Sequence, residues 1–578
     1  MELELVKTVQ PAGGLDVYSF DGRLGETNYA VFYYDFPKDS VGGESTWPAV
    51  LDGARDGWLG FINGKLQTEH EISLGDYPGR EALVEAKTST GQDGIIKARY
   101  YLVQNRIYQI MVITSKDQVV TAEMDAFLQS FSLLSQEQSD GTVTPGPDHT
   151  GSSAIGPLAT KAFLGLRARD IVNTGGGFVR IDVDPISHEI YYMDNMVNIY
   201  RLSLQPGADS TGWKMYSAEE VGGISSSLGM TFGPDGALYV LGNEANSDLT
   251  RAIIRKGVPN GPGKRTWSTL VTTEPYPLSK NQFDHVYGGL AVSPDGKYLF
   301  IAAGSRSDHG EVETAGGAFP DARELPLTSA IFRVPTGAQG LVLPNNEEGL
   351  KPYLFADGLR NAFDLAFNAD GELFAIDNGP DADFPDELNW IEDGHHYGFP
   401  WRFGNQDNPQ QFPTFDPKQN PLIPKDSTTY TNDPGFPTAP TGVKFTDPVI
   451  NMGPDAVYFR DEQGQIRKAP GLGQGLSSFT PHRSPLGLVF DTAGVLPGQF
   501  KGHAFILSWG AALGDFQDKG QDLLDLELVK KGEQYQMTAT QIMAGFKNPI
   551  DAVLFEGKLY VLEYGGHGGI WEITFPEK

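Results

Sequence analysis

One hairpin recurs along most of this chain, and that recurrence limits what it can fold into. Each copy has an apolar entry, a turn with Asp-Gly or a relative, and an alternating apolar strand. The copies are VRIDVDPISHEIYYMD (179–194), GMTFGPDGALYVLG (229–242), GLAVSPDGKYLFIAAG (289–304), DLAFNADGELFAID (364–377), GLVFDTAGVLPGQFKGHAFILS (487–508) and DAVLFEGKLYVLEY (551–564). Asp-Gly between alternating strands is a strong hairpin signal. A hairpin repeated at intervals is the signature of a radial array, because one unit alone cannot bury its apolar face. Six copies predict a mainly β fold, a six-bladed β-propeller over residues 154–578. The last alternating run, GIWEITF (569–575), is expected to pair with a strand near 160–170 and so remove the free edge of the ring. The longest interval between copies, about 380–485, contains FPTFDPKQNPLIPKDSTTYTNDPGFPTAPTG and reads as long surface loops.

Residues 1–134 have a different character, that of a small α+β domain. NYAVFYYDFP (28–37), IIKARYYLV (95–103) and RIYQIMVIT (106–114) alternate as strands do. TAEMDAFLQSFSLL (121–134) carries apolar residues at helical spacing behind a capping Thr121. A turn is expected at Pro78-Gly79. Segment 135–153, SQEQSDGTVTPGPDHTGSS, lacks apolar periodicity and reads as a flexible linker.

Of 578 residues, none is Cys, so disulfides, thiolate metal sites and Cys nucleophiles are excluded. The net charge of −30 disfavours nucleic acid and anionic lipid as partners, and leaves carboxylates for calcium. No run of eighteen apolar residues is present, so no transmembrane helix is expected. The opening MELELVKTVQ lacks the pattern of a signal peptide, which fits a cytoplasmic protein or one whose signal has been removed.

Three segments concentrate chemistry. The first is DGLRNAFDLAFNADGELFAIDNGPDADFPDELNWIEDGHHYGFPWRFG (357–404). Arg360 and Asn361 stand just before a strand: Arg offers a rigid fork for an anion, or simply holds a loop, and Asn offers a donor and an acceptor. Asn378-Gly379-Pro380 follows the same hairpin. Such a turn exposes backbone carbonyls that calcium could take, or is an ordinary turn. Asp386 and Glu387 either hold a metal with Tyr397 or salt-bridge on their loop. The second segment is NQFDHVYGGLAVSPDGKYLFIAAGSRSDHGE (281–311). His285 suits a general base, with Asp284 to orient it. Loop 305–311, with Arg306, Asp308, His309 and Glu311, reads as a site rim or a local ion-pair turn. The third is FTPHRSPLGLVFD (479–491), where His482 and Arg483 precede the fifth copy.

The ordered set G-L-R-N, A-D-G, D-N-G-P, D-E-L-N and Y-G-F-P over 357–404 resembles the glucose/sorbosone dehydrogenase family. Pro78-Gly79-Arg80-Glu81, Asn105 to Tyr108 and Phe127 to Phe131 resemble the PsbP-like fold, usually a scaffold or binding module. The first resemblance implies a calcium- and pyrroloquinoline quinone (PQQ)-dependent oxidoreductase acting on a sugar or related polyol. It implies His285 as base and Arg360 on the quinone oxygen. It implies Asn361, Asn378 and Asp284 around the cofactor, and calcium on the carbonyls of Gly379 and Pro380 with Glu387 at a metal. It also implies a periplasmic or extracellular setting. The family's cationic anchors are a Lys and two Arg. Here Trp509-Gly510, Asn548 and Ile550 stand at those places, with Lys547 adjacent, so Arg306, Arg483 and Lys547 are the candidate substitutes. Two other readings remain: a non-catalytic, calcium-stabilised propeller that binds partners or copies of itself, and a propeller hydrolase centred on Asn361 and Asn378.

Overall fold

The computed structural model describes residues 4–9, 16–24, 27–36, 46–62, 64–74, 77–87, 93–103, 106–116, 124, 127–128, 131, 157–159, 165–173, 176–202, 204, 212–281, 284–425, 427, 429–510, 514–565 and 568–576. The chain divides into two compact units, Met1–Asp148 and His149–Lys578. The division falls inside the segment expected as linker, 135–153, which lies outside the described residues.

The first unit is a seven-stranded antiparallel sheet. Its order across the sheet is Glu4–Val9, Asp16–Leu24, Thr27–Asp35, Arg106–Ser115, Asp93–Val103, Tyr77–Lys87 and Lys65–Leu74. Strand alternation sorts neighbouring residues onto two faces. On one face Ala30, Ala98, Tyr100 and Met111 pack with Leu51 and Ala54 of the helix Trp47–Ile62. On the other, Tyr29, Tyr101, Ile110 and Val112 pack with Met124 and Leu128. Most of the helix expected over 121–134 lies outside the described residues. The turn expected at Pro78-Gly79 is corrected: both residues lie within the strand Tyr77–Lys87. There a Cβ on Gly79 would meet the Tyr101 ring at 2.5 Å. Glycine therefore serves a close cross-strand approach at this point rather than a reversal.

The second unit is mainly β, and each of the six sequence copies opens a sheet. The paired first and second strands are Phe178–Asp184 with Glu189–Asp194, Gly229–Phe232 with Leu238–Asn246, and Tyr287–Val292 with Tyr298–Ala303. They continue with Ala362–Phe367 and Leu373–Asp377, Pro485–Phe490 and Ala504–Ser508, and Pro549–Phe555 and Lys558–Glu563. We number these sheets 1 to 6. Their first strands pack in sequence order, and the first strand of sheet 6 returns to that of sheet 1, so the sheets form a closed cycle, a propeller. Gly236, Gly296, Gly371 and Gly557 sit at the hairpin turns with φ of 73–76°, the left-handed region that makes Asp-Gly a turn signal. Sheet 6 is completed by Arg167–Asn173, which pairs antiparallel with Gly569–Thr574 from Asn173↔Gly569 to Arg167↔Thr574. This is the closure expected from the terminal run.

The long interval before sheet 5 departs from the expectation of surface loops. Phe384, Phe399, Phe403, Phe415, Ile423 and Tyr430 form a buried apolar cluster of their own. Spacing without period hides such a cluster, because its members come from turns rather than from one strand or helix.

Candidate functional site

The loops at the ends of the inner strands of sheets 3, 4 and 5 bring His285, Asp308, Arg360, Asn361, Asn378 and Asp386 together. Arg360 is buried and fully engaged. Its Nη2 donates to Asp308 Oδ1 at 2.6 Å, its Nε to the Asp308 carbonyl at 2.7 Å and its Nη1 to the Asn378 carbonyl at 3.1 Å. The Asp377 carboxylate receives the backbone N–H of Arg360 at 2.8 Å and that of Asn361. The loop before the strand is thus held by the carboxylate at that hairpin's end.

Asp308 anchors the centre. Besides Arg360 it accepts from the Asp381 backbone N–H at 3.0 Å and pairs with His309 Nδ1 at 2.9 Å. Burial alone would raise its pKa, but the Arg360 guanidinium and His309 hold the carboxyl well below the usual carboxylate range. His309 stacks on Tyr430 with ring centroids 3.7 Å apart. The buried loop cluster therefore reaches the centre directly.

His285 lies two residues before the strand Tyr287–Val292, near enough for the charges of Arg360 and Asp308 to act on its ring. Its Nδ1 is 3.1 Å from Ser305 Oγ, and its backbone N–H donates to the Ser305 carbonyl at 2.9 Å. Ser305 Oγ donates its own proton to the Ser307 carbonyl at 2.7 Å. The hydroxyl must then accept from His285, which puts the ring proton on Nδ1 and leaves Nε2 as the acceptor. Burial, together with the positive charge of Arg360, lowers the imidazole pKa well below its ordinary value. His285 is neutral at neutral pH. Gly304 allows this packing, since a Cβ there would stand 2.1 Å from the His285 carbonyl oxygen.

Asp284 turns elsewhere: its carboxylate accepts the backbone N–H groups of Ser279 and Lys280, both at 2.6 Å. It shapes the preceding turn, and the side chain that meets the His285 ring is Ser305. Asn361 Nδ2 donates to Asn378 Oδ1 at 3.3 Å, and Asn378 Nδ2 to the Pro485 carbonyl at 2.8 Å.

The two arginines expected to replace missing cofactor anchors require correction. All five donors of Arg306 go to backbone carbonyls, those of Pro277, Leu278, Glu313, Ala322 and Arg323. Arg483 is buried between Asp518 and Asp522, with Ser508 Oγ as a third partner. Desolvating a guanidinium requires such pairing, so neither cation is left for a ligand carboxylate. At the third anchor place, Asn548 donates to the Trp509 carbonyl at 3.2 Å.

Behind Arg360 lies a small cavity of about 10 Å³ lined by Asp377, Asn378, Gly379, Glu387, Tyr397 and others. Burial raises the carboxyls of both Asp377 and Glu387; Asp386 raises Asp377 further, and Asp377 with Asp386 raises Glu387 further. Asp386 is saturated by the backbone N–H groups of Gly379 at 2.8 Å and Ser484 at 3.0 Å. The Tyr397 hydroxyl bonds the Trp390 carbonyl at 2.6 Å. Among the described residues, no three His, Asp or Glu side chains are grouped to hold a metal ion. His482 pairs with Asp383 at 2.8 Å, which with its neighbouring acids raises its pKa against the effect of burial.

Sequence reasoning missed Asp377 and Ser305, which hold Arg360 and His285. It also missed Arg180, buried on the first strand of sheet 1. The available signal was a polar residue at an inward position: Arg180 and Asp182 alternate on one side of an otherwise apolar run, and Asp364 and Asp551 open their motif copies.

Residues 214–447 match the family model described as glucose/sorbosone dehydrogenase. Among solved structures, the chain is similar to the soluble aldose sugar dehydrogenase of Escherichia coli in its apo form. That match has 15% identity, covers 71% of this chain and 99% of that one, and has a TM-score of 0.46. A second is the holo form of the pyranose dehydrogenase PQQ domain of Coprinopsis cinerea, at 14% identity, 72% and 97% coverage and TM-score 0.45. A third is the PQQ-bound aldose sugar dehydrogenase of Streptomyces coelicolor, at 15% identity, 72% and 99% coverage and TM-score 0.41. No curated protein gives a significant match. The segment that matches the glucose/sorbosone dehydrogenase model, residues 214–447, contains His285, Arg360, Asn361 and the Asn378-Gly379-Pro380 turn.

Proposed function

We propose that the second unit oxidises a hydroxyl-bearing carbon of a sugar or related polyol, with His285 Nε2 as the proton acceptor. The observation that carries this reading is the hydrogen-bond chain from His285 Nδ1 through Ser305 Oγ to the Ser307 carbonyl. It favours the neutral tautomer with the proton on Nδ1, in which the lone pair on Nε2 is the basic site for a hydroxyl proton. Burial, together with the charge of Arg360 that Asp308 and Asp377 hold in place, keeps the imidazole uncharged. The resemblance to exported sugar dehydrogenases supports a periplasmic or extracellular setting.

For calcium the support is one pair of carboxyls: Asp377 and Glu387 face the small cavity beside the Gly379 turn, which Arg360 and Arg402 also line, and both are pushed up by burial, a state that a cation would relieve. It would neutralise that pair and stiffen the 377–387 loop. The quinone fits less well. PQQ is a trianion and needs cations, yet Arg306, Arg483 and Arg360 are all engaged by this chain's own carbonyls and carboxylates. No step is derived through it. The same observation favours a second reading, a calcium-stabilised propeller that binds without catalysing.

The two are separated by adding PQQ and calcium to the purified protein. The measurements are the quinone absorbance and dye reduction over a panel of aldoses and polyols. Turnover that H285Q abolishes supports the oxidoreductase. No quinone spectrum and no turnover would reject it in favour of the second reading.

A further inference from the structure

Below the site, one side chain crosses the centre of the propeller. Arg180 lies on the first strand of sheet 1 and is only 2% exposed. Its Nε donates to the Leu228 carbonyl at 2.7 Å, at the entry to sheet 2. Its Nη2 donates to the Phe363 carbonyl at 2.7 Å, on the first strand of sheet 4. Sheets 1 and 4 stand three steps apart in a cycle of six, so they face each other across the axis. The guanidinium also stacks on the Phe363 ring, 4.5 Å from its centroid.

Three aspartates complete the junction. Asp364 lies 3.3 Å from Arg180 Nη1 and accepts the Leu488 N–H of sheet 5 at 2.9 Å. Asp551, 3.9 Å from Nη1, accepts the Ile181 N–H at 2.9 Å, which joins sheet 6 to sheet 1. Asp182 accepts the Phe232 N–H at 2.8 Å, which joins sheet 1 to sheet 2. Each carboxylate ties its own sheet to the next, and Arg180 ties the opposite sides together.

Phe363 is the point of leverage. It follows Arg360 by three residues on one continuous strand start. Its carbonyl also abuts the strand that carries His285: a Cβ on Gly289 would lie 3.0 Å from Phe363 O. The two strands that present His285 and Arg360 therefore meet at the carbonyl that Arg180 holds. We propose that Arg180 is a positioning residue, a cross-axis strut that sets the separation of His285 and Arg360 from beneath the site. A merely local role would be confined to sheet 1. The bonds to Leu228 and Phe363 extend the effect to the floor of the site, and a small displacement of reacting groups costs rate steeply.

The test uses the full-length protein with R180M and R180K. Arg180→Met removes charge and fork. Arg180→Lys keeps the charge but cannot reach Leu228 and Phe363 together. The first readout is the His285 titration by imidazole NMR, assigned by comparison with H285Q, which is independent of turnover. Arg360 and Asp308 are the charges facing that ring, with Ser305 as its hydrogen-bond partner. Loosening the strut is expected to move the His285 midpoint toward its ordinary value by about half a pH unit or more in R180M. R180K is expected to shift it in the same direction by less. The second readout, which rests on the oxidoreductase reading, is a loss of about tenfold in kcat with KM little changed. An unchanged His285 titration in a folded R180K or R180M overturns the proposal. A shifted titration without any turnover upholds the strut and rejects the oxidoreductase reading instead. If R180M fails to fold, R180K decides on the same measurements.

Discussion

Replacing Asp308 by Asn tests the centre of the site most directly. The carboxylate is fully buried and 2.6 Å from Arg360 Nη2, with His309 Nδ1 at 2.9 Å and the Asp381 N–H at 3.0 Å. The amide can keep one bond to the guanidinium but not the charge. Two unit charges whose centres are roughly 4 Å apart interact by about 4 kcal/mol at an effective dielectric constant near 20. Breaking one partner of a buried pair typically costs 3–5 kcal/mol, because the other charge stays desolvated. D308N is therefore expected to destabilise the second unit by about 3 kcal/mol. The measurement is urea unfolding followed through the propeller tryptophans, in D308N, R360M and the double variant. The double variant should lose about 1–3 kcal/mol less than the sum of the singles. The Asp308 pKa is depressed in the folded state, so its contribution is present above the unfolded value near 4. It is lost only as pH falls through the folded value. The loss in D308N should thus be constant from about pH 5 to pH 8. A loss below about 1 kcal/mol, additive with R360M, would refute the ion pair as the organising contact.

Two further outcomes are expected. Ser305→Ala removes the acceptor that selects the Nδ1–H tautomer; with about 1 kcal/mol for that bond, kcat/KM should fall roughly fivefold with the melting temperature nearly unchanged, and an unaltered rate would remove Ser305 from the mechanism. Burial pushes the Asp182 carboxyl up to about 6 and raises those of Asp377 and Glu387, so the folded state holds protons that the unfolded chain releases. Stability should then fall as pH rises from about 4 through 6 and beyond, by on the order of 3 kcal/mol from Asp182, and melting temperatures that stay level or rise over that range would contradict it.

The sequence by itself determined the repeated hairpins, the closing strand and the loops that bear the site. Those features are local or periodic: Asp-Gly at a turn and alternation along a strand each write themselves into neighbouring residues. It also presented Arg360, Asn361 and the Asn378-Gly379-Pro380 turn as parts of one ordered motif, with His285 in a second segment. Only the tertiary structure decided which charges are available. In the sequence Arg306 and Arg483 stood as candidate substitutes for the missing anchors, but folding carries each to carbonyls or carboxylates from distant segments. Asp284 looked like the orienting partner of His285 because it is adjacent, whereas strand geometry hands that place to Ser305, twenty residues away. Arg180 and Phe363 are 183 residues apart, and nothing periodic links them. Their contact exists because closing a ring brings opposite strands to one axis, and a buried guanidinium must find acceptors wherever the ring provides them.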